Sequence, residues 1–516
     1  MKFQTMKKVT ALVITVIMLL AAVSATAGTA EEKLNTYYKL VSGYMTANNF
    51  EKAMENLEKA LQYCDEETNP DIYADLYVKK GWILANQHDY ENGLTALDEA
   101  LRVDPELSNA YLVKSAIFSE TGEDEKADET YEKYLELQQV EGTAKIFLSA
   151  TTKMNAERYA EAAEEFVTIL DDAEYGSASA YNAGTCYLKI KEYEKAAEVF
   201  ETILNDAEYG NISAYSAGTC YMEMTEYEKA LAYFAKYPES EPQPDDLQYN
   251  IAFCSMKLNK LDEAIESFTV SIETEPYKAA AHYWRGLTAL TRTGDETLEA
   301  EKSAELMKMA ADDFTAYLEA ATEAARAEAE EGAEVPEVVD DATYYRGACY
   351  LALNEFEKAE ADFDACISNG LLTGECSYYR GVACLNLGKY EKAEADFDTS
   401  ISQGLYLDES TYNRGVARVN LGKFAEAMED LTASIEKGIN TIDALKCRAI
   451  ASNGLGDYQA AIDDLTVLIE QGQGVDLYTV YQMRAQVYQN SGDEVHYLED
   501  LETSLEYLDS TEDAEQ

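Results

Sequence analysis

Catalysis and metal binding need nucleophiles, bases or ligands gathered at fixed spacing, and this chain of 516 residues offers few. Its three histidines, His88, His282 and His496, are far apart, and none has a cysteine, histidine or distinctive carboxylate at metal-ligand spacing. No glycine-rich phosphate loop, nucleophile elbow or H-E-x-x-H segment occurs. With 98 Asp and Glu, paired carboxylates are everywhere, so no pair stands out as an acid–base couple. No segment has the spacing of a calcium loop. The sequence therefore predicts a non-enzymatic chain with no cofactor and no metal. One residue type does keep a strict interval. Tyr181, Tyr215, Tyr249 and Tyr283 stand 34 apart, and Tyr344, Tyr378 and Tyr412 repeat that interval. Tyrosine supplies contact area and a hydroxyl at low entropic cost, which suits peptide recognition and stacking on sugars. Packing against a neighbouring helix is the competing role, and the spacing alone leaves both open.

The tyrosines belong to a pattern that returns thirteen times along the chain. Ala162, Ala196, Ala230 and Ala264 share the 34-residue interval, as do Ala359, Ala393, Ala427 and Ala461. Twelve residues upstream run Gly184 and Gly218, then Gly347, Gly381, Gly415 and Ala449. A period of this length means stacked supersecondary units, each too small to bury its own apolar face. The copy at 374–407 shows the unit. Tyr378, Gly381, Cys384 and Leu385 lie on one face of a first helix. Tyr390, Ala393, Phe397 and Ile401 do the same on a second, and the two meet at Leu387-Gly388-Lys389. Small residues at Gly381 and Ala393 let the backbones approach, with Phe397 filling the space beside them. Gly370, Gly404, Gly438 and Gly472 follow successive second helices, where glycine suits a left-handed C-cap.

This pattern resembles the tetratricopeptide repeat, whose signature puts small or aromatic residues at positions 8, 11, 20, 24 and 27 of 34. Gly184, Tyr187, Ala196, Phe200 and Ile203 occupy those positions in one copy, and Gly347, Tyr350, Ala359, Phe363 and Cys366 in another. Pro105 and Pro276 match the family's proline at position 32. The resemblance covers residues 34–509 and implies an all-α superhelix, or solenoid, of about thirteen helix hairpins. In that family positions 2, 5, 9 and 12 of the first helix line a concave face. The resemblance thus implies a groove with Tyr181, Tyr215, Tyr249, Tyr283, Tyr344, Tyr378 and Tyr412 at position 5. Leu188, Met222, Met256, Leu290, Leu351 and Leu385 stand at position 12. Family members that clamp a C-terminal carboxylate carry lysine and asparagine at positions 5 and 9. Tyrosine at 5, with Thr185, Thr219, Phe253, Ala348 or Val382 at 9, contradicts that clamp here. Arg285, Arg346, Arg380, Arg414 and Arg448 recur at position 7, where pairing with neighbouring acids would fix the geometry between units.

Two interruptions divide the array. About twelve residues near 293–305 are inserted after Trp284-Arg285-Gly286, between the helices or lengthening them. An acidic linker then follows at 326–341, containing Gly332 and Pro336. The expected organisation is an N-terminal array of eight units at 34–325, that linker, a C-terminal array of five units at 342–509, and an acidic tail at 510–516. A softer break lies at Tyr237-Pro238 to Pro244.

The first residues read as a leader. Lys2, Lys7 and Lys8 precede a weakly polar to apolar run from Val9 to Val23, and Ala25-Thr26-Ala27 offers a small-x-small cleavage site. Gly28-Thr29-Ala30 is an alternative site, and an uncleaved anchor is the competing reading, although the run is short against the roughly 20 residues of a span. Residues 1–27 are thus expected to be a signal peptide, and the chain to be secreted or held in the cell envelope without a lipid-modified cysteine. The formal net charge of −57 repels nucleic acid and anionic membranes. Its plain role is solubility, and its functional role would be attraction of cationic partners. Nine cysteines in an exported protein would ordinarily suggest disulfides. Cys186, Cys220 and Cys254, however, occupy one repeat position in successive units, too far apart to bridge, and Cys349 takes the same position. They are expected to be buried thiols packing like alanine. Cys366, Cys376 and Cys384 are the plausible bridge partners.

Together these features predict an exported scaffold that binds proteins or extended peptides, cationic ones among them, through a tyrosine-lined face. A glycan- or cell-wall-binding module, with the tyrosines as a stacking platform, is the alternative, as is an adaptor subunit of an envelope or secretion complex.

Overall fold

The computed structural model describes residues 29–238, 240–328 and 339–512. The leader expected over 1–27 and the last four residues of the acidic tail lie outside them, as does most of the linker expected at 326–341. The described residues form 26 α-helices, paired in sequence as thirteen antiparallel hairpins. They fall into two compact units that divide between Gln243 and Pro244, at the end of the proline-bounded loop.

The first unit holds six hairpins: α1 (Thr29–Thr46) with α2 (Phe50–Leu61), α3 (Pro70–Asn86) with α4 (Tyr90–Val103), α5 (Ser108–Thr121) with α6 (Asp124–Leu137), α7 (Gly142–Asn155) with α8 (Tyr159–Val167), α9 (Gly176–Lys189) with α10 (Tyr193–Glu201), and α11 (Gly210–Glu223) with α12 (Tyr227–Phe234). The second unit holds seven: α13 (Leu247–Lys257) with α14 (Leu261–Ser271), α15 (Lys278–Arg292) with α16 (Ala300–Glu328), α17 (Asp341–Ala352) with α18 (Phe356–Ser368), α19 (Thr373–Asn386) with α20 (Tyr390–Ser402), α21 (Leu407–Asn420) with α22 (Phe424–Glu436), α23 (Thr441–Leu455) with α24 (Tyr458–Gln471), and α25 (Leu477–Ser491) with α26 (Glu494–Glu512). The insertion after α15 becomes a loop of seven residues and an α16 of 29 residues, twice the usual length.

Two left-handed positions cut the helices to length. Every first helix except α15 ends on a residue of positive φ that turns the chain into the second. It is Gly388 (φ 71°) or Gly422 (φ 71°) in later hairpins, but Lys191 (φ 63°) or Thr225 (φ 62°) in earlier ones. Second helices end at Gly370, Gly404 and Gly438 (φ 73°, 75° and 75°), where the next amide bonds back to a carbonyl of the last turn, as Leu371 N does to Cys366 O at 2.9 Å. Gly472 also has positive φ, but its ψ of −54° takes it out of the left-handed helical region.

The core of each unit is built from one contact repeated. A large side chain at position 24 is fully buried in Phe166, Phe200, Phe234, Phe268, Phe314, Phe363 and Phe397, and leucine takes its place at Leu431 and Leu465. Its ring lies against the small residue at position 8. A Cβ on Gly184 would stand 2.6 Å from the Phe200 ring, and one on Gly381 2.8 Å from the Phe397 ring. In these hairpins the glycine and the phenylalanine are therefore a matched pair, and a methyl group at Gly184 or Gly381 would overpack it.

All nine cysteines are free thiols. Cys186, Cys220, Cys254 and Cys349 are fully buried in these cores, and burial pushes each thiol up to about 12 from its ordinary 9.0. Cys366 and Cys376 are buried too, on α18 and α19, and their thiols perturb one another, lowering the first and raising the second. A thiol raised in the folded state contributes stability that is complete below its unfolded value. The unfolded chain ionises first, so that stability drains away as pH climbs from 9.0 towards 12. Thermal midpoints should accordingly fall on this alkaline limb. The triple variant Cys186→Ala/Cys220→Ala/Cys254→Ala should show a shallower fall, the buried tyrosines supplying the rest. An unchanged slope in the triple variant would contradict this origin.

Candidate binding face

The seven periodic tyrosines all sit on first helices: Tyr181 on α9, Tyr215 on α11, Tyr249 on α13, Tyr283 on α15, Tyr344 on α17, Tyr378 on α19 and Tyr412 on α21. Every one is half-buried. Six lean on the position-24 phenylalanine of their own hairpin. Tyr181 meets Phe200 at 6.0 Å between centroids, Tyr215 meets Phe234 at 5.8 Å, and Tyr249 meets Phe268 at 5.8 Å. Tyr283, Tyr344 and Tyr378 meet Phe314, Phe363 and Phe397 at 6.1–6.2 Å. Tyr412 packs into the cluster around Leu431. Several also touch an aromatic at the entrance of the next hairpin: Tyr181 with Tyr209 at 5.4 Å, Tyr249 with Tyr277 at 5.4 Å, and Tyr378 stacked on Tyr406 at 4.3 Å. The row is thus neither wholly buried nor free-standing. Each ring is partly covered by the core or by the next hairpin and partly exposed.

In the second unit the first helices of consecutive hairpins touch each other directly, from α13 through to α25. Residues spaced three and four apart on each helix share one face, so the tyrosines continue into a half-buried apolar stripe. Beside them lie Phe253 and Met256 on α13, Leu287 and Leu290 on α15, and Val382 and Leu385 on α19.

What holds these helices in register is a ladder of ion pairs. In six successive hairpins an arginine at position 7 grips an aspartate of the second helix through Nε and Nη2. The pairs are Arg285–Asp313, Arg346–Asp362, Arg380–Asp396, Arg414–Asp430, Arg448–Asp464 and Arg484–Asp500, with N–O distances of 2.5–2.9 Å. The remaining Nη1 reaches back to the second helix of the preceding hairpin. It meets Thr269 from Arg285 at 2.9 Å, Asp364 from Arg380, Asp398 from Arg414 at 2.6 Å and Thr466 from Arg484 at 2.9 Å. Each guanidinium therefore ties three helices together, and the fork geometry leaves little freedom in their angles. The aspartates are at most 7% exposed, which makes these buried pairs rather than surface ones. The repeated arginine was legible in the sequence. Its aspartate was not, because one carboxylate among 98 carries no signal until the fold singles it out.

A second set of carboxylates was also missed. Position 2 of the first helix is Asp341 on α17, Glu375 on α19, Glu409 on α21 and Asp443 on α23. Each lies by the tyrosine of the preceding hairpin. Tyr283 Oη donates to Asp341 Oδ2 at 2.7 Å. Tyr344 and Tyr378 titrate above the ordinary tyrosine value chiefly through burial, with the charges of Glu375 and Glu409 adding to it. Tyr412 is raised by burial first, then by Cys447 and Asp443. The histidines serve structure: His282 Nδ1 is 2.7 Å from Asp313, and His496 pairs with Asp493 at 2.7 Å. Among the described residues no group of His, Cys, Asp and Glu could hold a metal ion, and no helix is long and apolar enough to cross a membrane.

Hairpins of this length, stacked through a Gly–Phe contact and recurring every 34 residues, define an array of helical repeats. Two tetratricopeptide-repeat family models match the chain, one over residues 147–211 and 350–405, the other over 34–66, 74–107 and 108–140. The chain is a tetratricopeptide-repeat protein, a class that generally binds other proteins. No curated protein matches it. Among solved structures it is similar to a tetratricopeptide repeat protein from Parabacteroides merdae, with 19% identity over 50% of this chain and 99% of the other, at a TM-score of 0.31. It is similar to PilW, a type IV pilus biogenesis factor, with 19% identity over 40% and 94% of the two chains and a TM-score of 0.28. YrrB, a tetratricopeptide-repeat protein with an unusual peptide-binding site, is 21% identical over 44% and 97%, with a TM-score of 0.25. At such scores the likeness says nothing about ligand.

Proposed function

We propose that this chain is an exported, non-enzymatic scaffold that binds extended peptides or protein surfaces on the tyrosine-bearing face of its first helices. The observation that carries this reading is the row itself: seven tyrosines at one repeat position, each packed on core residues and half-buried. Anchored aromatics lose little entropy on binding, which is the property of an interface hot spot. The net charge of −57 favours basic partners. A stacking platform for sugars needs open ring faces, whereas Tyr378 already stacks on Tyr406 at an interplanar angle of 19°. That favours a protein ligand over a glycan, and an adaptor role within an envelope complex would use the same face.

Export rests on the leader. Expressed from Met1 in a bacterial host, the chain should be recovered outside the cytoplasm with its N-terminus at Gly28 or Glu31. Retention of the whole chain in the cytoplasm would contradict export. For binding, the mature chain immobilised against envelope extract should retain proteins, and replacing paired tyrosines should release them. Retention on insoluble wall polymer instead would favour the glycan reading.

A further inference from the structure

The second unit repeats, hairpin after hairpin, a charge pattern on its tyrosines that the first unit carries at Tyr38, whose Oη donates to Asp75 Oδ2 at 2.7 Å. From α15 to α23, each position-5 tyrosine is followed by the position-2 carboxylate of the next first helix: Tyr283–Asp341, Tyr344–Glu375, Tyr378–Glu409 and Tyr412–Asp443. On α9 and α11 of the first unit the equivalents of those carboxylates are Ala178 and Ile212. Asp341, Glu409 and Asp443 are exposed and Glu375 is half-buried. Among the described residues neither Glu375 nor Glu409 forms an ion pair. The chain itself shows what such a carboxylate takes. On α23 the tyrosine position is filled by Lys446, whose ammonium pairs with Asp443 at 3.2 Å.

We propose that this face of the second unit recognises an extended basic segment of a partner protein that presents a lysine or arginine at every third residue. The inference rests on the reading of the first-helix face as a binding face, and names its ligand chemistry. Two observations fix the occupant. The first is charge complementarity: a cation over a tyrosine ring and beside a carboxylate is attracted by both, and the alternation offers such a place at each hairpin. The second is spacing. Consecutive first helices are in contact, so equivalent residues recur at about one interhelical distance, ~8–10 Å. A polyproline-type strand advances ~3.1 Å per residue with three residues per turn, so every third side chain returns to the same edge after ~9 Å. The aliphatic stripe beside the tyrosines accommodates the stems of those basic side chains and the small residues between them.

The test uses the full mature chain and two fluorescent synthetic peptides of equal composition. One has lysine at every third position among proline and serine, and the other has its lysines in one block. The spaced peptide should bind at least about tenfold more tightly than the blocked one. Glu375→Gln/Glu409→Gln should weaken it by at least about tenfold. Glu357→Gln/Glu391→Gln removes the same charge from exposed positions on the second helices α18 and α20 and should leave binding unchanged. Equal binding of the two peptides, equal loss in both charge variants, or no binding of either peptide overturns the proposal. If Tyr378→Ala/Tyr412→Ala abolishes binding while the glutamine pair at 375 and 409 does not, the cation rule falls and the tyrosine face stands. If neither pair matters and the spaced peptide still binds, both fall.

Discussion

Replacing Asp313 with alanine should cost the second unit about 3–5 kcal/mol, the penalty for leaving a buried charge without its partner. Asp313 is the most deeply buried of the ladder aspartates, at 1% exposure, and it holds both Arg285 and His282. Once it is gone, the Arg285 guanidinium keeps only Thr269 among its hydrogen-bond acceptors. The double change Arg285→Met/Asp313→Leu should recover most of the loss, because an apolar pair of similar volume replaces two desolvated charges. Trp284 adjoins the pair and Trp82 is the other tryptophan, so in a Trp82→Phe background Trp284 fluorescence reports this region alone. Denaturant curves followed that way should separate the single variant from the double. A loss below about 1 kcal/mol in the single variant would mean that water reaches the guanidinium and that the ladder acts like a surface pair.

The second large effect concerns binding. The double variant Tyr378→Ala/Tyr412→Ala should weaken partner binding by about 2–4 kcal/mol, the range of interface hot spots. It should also lower stability, because both rings are half-buried against core residues. The two effects separate if affinity is measured per folded molecule. A purely structural row would reduce the folded fraction and leave the affinity of the remainder intact. The milder change Tyr378→Phe/Tyr412→Phe keeps the packing and removes only the hydroxyls, so its stability should stay near that of the parent while its affinity reports the hydroxyl contribution.

The hairpins were legible because their pattern rests on a few residue types that nothing else explains. Glycine or alanine at position 8 and phenylalanine at position 24 recur at fixed offsets, and the structure sets the rings of Phe200, Phe234, Phe314, Phe363 and Phe397 against their glycines. The tyrosine row was legible for the same reason. Its half-buried state was not, because exposure depends on how far the next hairpin overlaps it, as Tyr406 does over Tyr378. Turn positions read unevenly. Gly388 announces its positive φ, whereas Lys191 and Thr225 adopt the same φ without any signal in residue type. Functional carboxylates were hidden by abundance. Asp313 and Glu409 look like any other acid until helix packing buries the one beside Arg285 and sets the other beside Tyr378. The prolines near residue 240 were visible as a break, and the division into units falls at their end.

Hydroxyl-radical footprinting of the full chain, with and without a partner captured from envelope extract, tests the tyrosine face most directly. Aromatic rings react readily, so protection reports which of them a partner covers. Tyr181, Tyr215, Tyr249, Tyr283, Tyr344, Tyr378 and Tyr412, or a contiguous subset of them, should become protected. Exposed second-helix residues such as Val270 and Val467 should stay as reactive as before. Protection on the second helices, with the tyrosines unchanged, would contradict binding through this face.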